Sequence, residues 1–148
     1  MRHLCCLLVL LLGTLAAAAP PEPPLTLAEL AGEKLRFKVS WTGIPAAHAE
    51  FTVTALGNDT YRLAVTAESY GAASLVYPLE SRLVSTVAAP GIQVRGYERA
   101  GREGWGDSME RVLAFDPEKG EVRYTRNGEL RKVLPIPPDV QDPLSCLY

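Results

Sequence analysis

The sequence predicts an all-β fold: a curled antiparallel sheet that forms a barrel or half-barrel, with only minor short helices. Three observations predict it. Between Glu33 and Glu68 apolar and polar residues alternate with a period of two over three runs, the signature of strands with one oily and one wet face. The runs are separated by short turn sequences, which join antiparallel neighbours. Outside the first twenty residues no helical periodicity of any length is present. About eight twisted strands sharing one oily face are expected to curl and wrap that face.

Residues 1–19 read as a secretory signal peptide. Met1-Arg2-His3 is a basic start, Leu4 to Leu12 an apolar core, and Leu15 to Ala19 a small-residue tail with Ala16-x-Ala18 as the cleavage signal. The apolar run is shorter than the roughly 20 residues a spanning helix requires, so no transmembrane segment is expected in the mature chain. Cys5 and Cys6 lie too close to the start to follow an export segment as lipid-attachment sites. These features place the mature protein outside the cytoplasm. Residues 20–32 form a proline-rich spacer and a short helical turn, Leu25 to Ala31, ended by Gly32. Residues 33–148 form the β-rich domain.

The strands follow in order. Leu35, Phe37, Val39 and Trp41 alternate with Lys34, Arg36, Lys38 and Ser40. Gly43-Ile44-Pro45 breaks this run from the next, because proline donates no ladder hydrogen bond. Ala49, Phe51, Val53 and Ala55 form the second oily set, and Tyr61, Leu63, Val65 and Ala67 the third, with Gly57-Asn58-Asp59 as the turn. Phe37, Val39, Trp41, Phe51, Val53, Leu63 and Val65 fall on one parity and are expected to share a buried face. Tyr70 to Leu79 loses the alternation and suits a turn or short helix packing its apolar side down. Arg82 to Ala88, Val94 to Arg99 and Met109 to Phe115 read as further strands, with Ala100 to Gly106 as a glycine-rich loop. Glu121 to Arg126 and Glu129 to Leu134 flank Asn127-Gly128, a strong two-residue hairpin signal. Asp142-Pro143 reads as an N-cap followed by proline at the first helical position.

The chemistry is sparse. After residue 19 the chain has one histidine, His48, and one cysteine, Cys146, so no internal disulfide is expected. No nucleophile elbow, metal-ligand spacing or phosphate-binding glycine loop is present. No enzymatic activity, no metal and no cofactor is expected. The net charge is −2, and Glu98, Glu103, Glu110, Glu118, Glu121 and Glu129 interleave with the arginines of the second half. No nucleic-acid partner is expected from such a balance. Five aromatic residues, Phe37, Trp41, Phe51, Tyr61 and Tyr77, are candidate ligand-binding residues, four of them on the inferred inner face. They line either a packed core or a cavity for a lipid or other apolar molecule.

Several segments carry a family resemblance: GEKLRFKVSWTGIPAAHAEFTV, YRLAVTAESYGAASLVYPLES, FDPEKGEV and IPPDVQDPLSCLY, in that order. The chain resembles the DUF3108 family of bacterial exported proteins, most specifically in WTGIPAAHA, YPLES and QDPLSCLY. The resemblance implies a β-rich envelope protein of unestablished role. It also implies further strands after the DPLSxLY motif, so the chain is expected to be truncated within that motif. The expected function is non-enzymatic binding of an apolar or envelope-derived ligand, or of an envelope protein. The alternative is an envelope structural or assembly factor with a filled core and no small-molecule site.

Overall fold

The computed structural model describes residues 26–147. The expected signal peptide and the proline-rich run that follows it lie outside the described residues. Eight strands form one antiparallel meander in sequence order. They are β1 (Lys34–Trp41), β2 (Ile44–Gly57), β3 (Thr60–Ser69), β4 (Leu79–Ala88), β5 (Gln93–Glu103), β6 (Met109–Asp116), β7 (Glu121–Arg126) and β8 (Glu129–Pro135). A short helix α1 (Leu27–Leu30) precedes the sheet and α2 (Ala72–Val76) links β3 to β4.

The barrel or half-barrel is not formed. The sheet is neither closed nor strongly curled, and β1 and β8 are its two edges. The chain covers its oily face by a different route. Leu27 of α1 and Leu144, beyond β8, join Val53, Tyr61, Leu63, Val65, Val87, Val94 and Tyr97 in one core cluster. A cover laid over the middle strands removes the need to bend the sheet around itself.

Local sequence explains the elements. Thr26 caps α1 in a reciprocal box with Glu29, which satisfies donors that a one-turn helix leaves free. Three hairpins turn on two residues with positive φ: Thr42-Gly43, Asn58-Asp59 and Asn127-Gly128. Two successive left-handed residues match the right-handed twist of the flanking strands. The Gly43-Ile44-Pro45 break is therefore a tight turn followed at once by β2. Pro45 lies in β2 at a bulge, beyond the end of β3, which pairs with β2 only from Ala47. There the missing N–H is tolerated. Ala100 to Gly106 is only partly loop, because β5 continues to Glu103 against Leu79. Gly101 makes that possible, since a Cβ there would overlap the Glu80 carbonyl oxygen.

The inferred parity holds in register. Leu35 opposes Phe51, Phe51 opposes Val65, and Val53 opposes Leu63. Burial follows it only in the middle of the sheet. Val53 and Leu63 are 2% and 1% exposed, whereas Phe37 is 48% and Trp41 76% exposed. The expectation that Phe37, Val39 and Trp41 are buried fails because β1 is an edge with no cover among the described residues. Leu75, Val76 and Tyr77, at the end of α2, are also exposed, so this helix does not pack its apolar side down.

Substituting Asp at Val53 buries an unpaired charge and is expected to cost several kcal/mol, at least ~3. Thr52 lies on the opposite face, opposite Lys34, and Thr52→Asp is expected to change stability by about 0.5 kcal/mol or less. Thermal melts of the two variants check the facing, and equal melting temperatures would refute it.

Candidate functional site

The inward face divides into three zones. The first is the covered core, held shut by Asp142. This carboxylate is 4% exposed. Its Oδ1 accepts from the backbone N–H groups of Leu144 (2.8 Å) and Ser145 (3.0 Å), and its Oδ2 accepts from the Ser85 hydroxyl at 2.5 Å. Ser145 Oγ in turn accepts from the Asp142 N–H at 2.8 Å. The predicted N-cap is thus present, opening a single 3-10 turn, Ser145–Leu147. Ser85 comes from the centre of β4 and is fully buried. One carboxylate therefore orders the terminal turn and anchors it to the sheet. Gln141 adds a hydrogen bond from Nε2 to the Ile92 carbonyl, 3.3 Å.

The second zone is an uncovered apolar margin made by Leu35, Phe37, Val39 and Trp41 of β1, with Ile44 of β2 at its end. The five aromatic candidates separate here. Phe37 and Phe51 meet edge to face, with ring centroids 5.4 Å apart. Trp41 stands at the far end of the same strand. Tyr61 is buried within the core cluster. Tyr77 lies apart, beside Gly104 and exposed. The structure brings Phe37 and Phe51 together and places the other three elsewhere.

The third zone escaped the sequence reading. A cleft of about 470 Å³ lies over β5, β6 and β7, with Ser81, Arg99, Arg111, Arg126 and Asn127 in its lining. The register sets Arg99 opposite Arg111 and Arg111 opposite Arg126. Each arginine shares the parity of its strand's apolar residues: Tyr97 on β5, Leu113 on β6, Tyr124 on β7. That parity was the available signal. Balancing charge over the whole second half concealed it, because Glu98, Glu110 and Glu121 fall on the opposite face while Glu103 and Glu129 share the arginines' face.

The opposite face carries a second cleft of about 560 Å³, lined by His48, Glu50, Glu68, Glu80 and Arg82 among others. His48 Nε2 lies 2.6 Å from Glu68 Oε1, and its ring stands 5.2 Å from that of Tyr70. Lys34 and Arg36 both bond Glu50 and hold its carboxyl below the usual range. The Lys34–Glu50 and Arg36–Glu50 ion pairs are solvent-accessible, and such pairs contribute little to stability. Among the described residues no group of three or more His, Cys, Asp or Glu is placed to hold a metal ion.

Tyr97 connects the core to the arginine cleft. Burial raises its phenol above the ordinary tyrosine range; nearby Asp142 acts in the same direction, while Arg99 and Arg111 oppose it. The unfolded chain therefore ionises this tyrosine first. Its contribution to stability is fully present below about pH 10 and is lost as pH rises through the higher folded value. Absorbance titration of the folded protein near 295 nm should show a late-ionising tyrosine that Tyr97→Phe removes.

Asp142→Ala leaves a buried hydroxyl and two amides without their acceptor and is expected to cost about 2–4 kcal/mol. Ser85→Ala should cost about 1–3 kcal/mol. The double variant should cost little more than Asp142→Ala alone, because both act through one contact. Urea unfolding midpoints test this, and full additivity would contradict the contact.

Neither a curated protein nor a solved structure matches the chain. A family model does, over residues 36–148, and this span holds all eight strands apart from the first two residues of β1. It takes in the Phe37–Phe51 contact, the three arginines and the Asp142 anchor alike. The chain belongs to the DUF3108 family, described as proteins of unknown function.

Proposed function

We propose that the protein is an exported, envelope-resident binder of an apolar or envelope-derived molecule, and that it acts without catalysis in the periplasm. One observation carries this reading: the oily parity of the core continues, uncovered, onto β1. Leu35, Phe37, Val39 and Trp41 lie in one row of alternate positions and are all exposed. A contiguous exposed apolar strip of this kind marks an interaction surface more often than a random surface feature. The flanking face is wetted by Lys34, Arg36 and Glu50, which keeps the strip one-sided. The export signal supports the envelope location.

The second reading is a structural or assembly factor with a filled core. It draws support from the dense middle of the face, where Leu63, Val53 and Val87 are almost fully buried. It also draws support from the free edge of β1, where a partner could add a strand. The two readings differ in whether a small apolar molecule occupies the margin.

Two measurements separate them. Protein purified from its host envelope and extracted into organic solvent should release a bound amphiphile by mass spectrometry. In a Trp105→Phe background, Trp41 emission should shift to the blue when a neutral apolar probe such as decanol is added. An empty extract together with unchanged Trp41 emission would overturn the ligand reading in favour of the assembly factor.

A further inference from the structure

We propose that Arg99, Arg111 and Arg126 form a binding site for a phosphate or carboxylate group, the acidic end of the molecule whose apolar part lies on the margin near Phe37 and Phe51. This rests on the ligand reading for its apolar half, whereas the anion site stands on its own geometry.

The geometry is a row of guanidinium groups. Arg99, Arg111 and Arg126 oppose one another on three adjacent strands, which are spaced about 4.8 Å apart. Like charges directly opposite one another destabilise a sheet, so three in a row need a counter-charge. The protein supplies one only in part. Arg99 pairs with Glu103. Among the described residues neither Arg111 nor Arg126 lies within ion-pair distance of a carboxylate. Arg111 points its Nε at the Met109 sulfur, 3.0 Å away, and a thioether is a weak acceptor. Glu103 and Asp107 also line the cleft, and Glu129 stands opposite Arg126 in register but pairs with Arg131 instead. Arginine forks match the oxygens of phosphate and carboxylate groups in pairs.

A path joins this cleft to the apolar margin. One row of opposed residues runs Phe37, Ala49, Ala67, Ser81, Gly101, Met109 across six strands. Its central members are small and form a shallow floor between the Phe37–Phe51 pair and the arginines. The next row runs Leu35, Phe51, Val65, Leu83 and then Arg99, Arg111, Arg126. This second row changes from apolar to charged along that direction, while the first stays small and uncharged between Phe37 and Met109. An amphiphile laid across the strands would match that order, with its acidic end over β5 to β7.

Calorimetry on the full exported chain tests the site with three probes at sub-micellar concentration: decyl phosphate, inorganic phosphate and decanol. Decyl phosphate is expected to bind at least tenfold more tightly than either of the others, and more weakly as salt is raised. Arg111→Gln should weaken decyl phosphate at least tenfold and leave decanol unchanged, with Arg111→Lys intermediate. The Gln variant relieves repulsion, so it should fold and melt no lower than the parent in phosphate-free buffer. Inorganic phosphate binding as tightly as decyl phosphate, with the same loss in Arg111→Gln, would keep the anion site and assign it to a free anion. Decanol binding with no response to Arg111→Gln for either phosphate would overturn the anion site while sparing the apolar one. Absence of binding by all three would overturn both.

Discussion

The fold depends on one buried carboxylate. Asp142 sits over the centre of the sheet and has three hydrogen-bond donors around it, one from β4 and two from the turn that follows. Burying a charge without such partners is prohibitive, so the contact is all or nothing. When it forms, Leu144 is set onto the core beside Val53, Leu63 and Val87. The middle of an otherwise open sheet then becomes an interior. The sheet has no need to close, because its most hydrophobic strands are already covered.

The same economy leaves the edges of the face uncovered, and they differ in character. Toward β1 the face is aromatic and aliphatic; toward β7 it carries three arginines among tyrosines and leucines. An inward-facing arginine is a common device for discouraging unwanted packing at a sheet margin. Three in direct opposition exceed what that purpose requires and raise the electrostatic energy of the free protein. Arg99 pairs with Glu103 and Glu129 stands opposite Arg126 in register, so the protein balances the row in part, and the acidic end of the proposed ligand completes the balance. The opposite face shows the contrasting arrangement, with Lys34, Arg36 and Glu50 already paired.

Alternation made the strands, their facing and their pairing legible, because period two is a property of single residues along the chain. Asn127-Gly128 and Asp142-Pro143 were equally readable, since each carries its own backbone geometry or donor count. Closure was not readable. It depends on whether β1 meets β8, and no local pattern encodes a contact between the two ends of a sheet. Pro45 and Gly101 misled for a related reason: they look like breaks, but the strands pass through them because β3 stops short of one and β4 needs room at the other. The apolar stretch after Tyr70 looked like core, yet among the described residues no element covers Leu75, Val76 and Tyr77. The arginine row was present in the parity of Arg99, Arg111 and Arg126 and vanished when charges were summed without regard to face.

Amide hydrogen exchange, followed residue by residue, tests the open, centrally covered sheet most directly. Exchange is slowest where opening requires loss of the whole core and fast at unpaired edges. The account predicts the slowest amides in β3, β4 and β5, and rapid exchange at every second amide of β1 and β8, whose outward N–H groups face no strand among the described residues. Outward amides of β1 and β8 as slow as those of β4 would contradict it, because they would require these two strands to be paired along their outer edges.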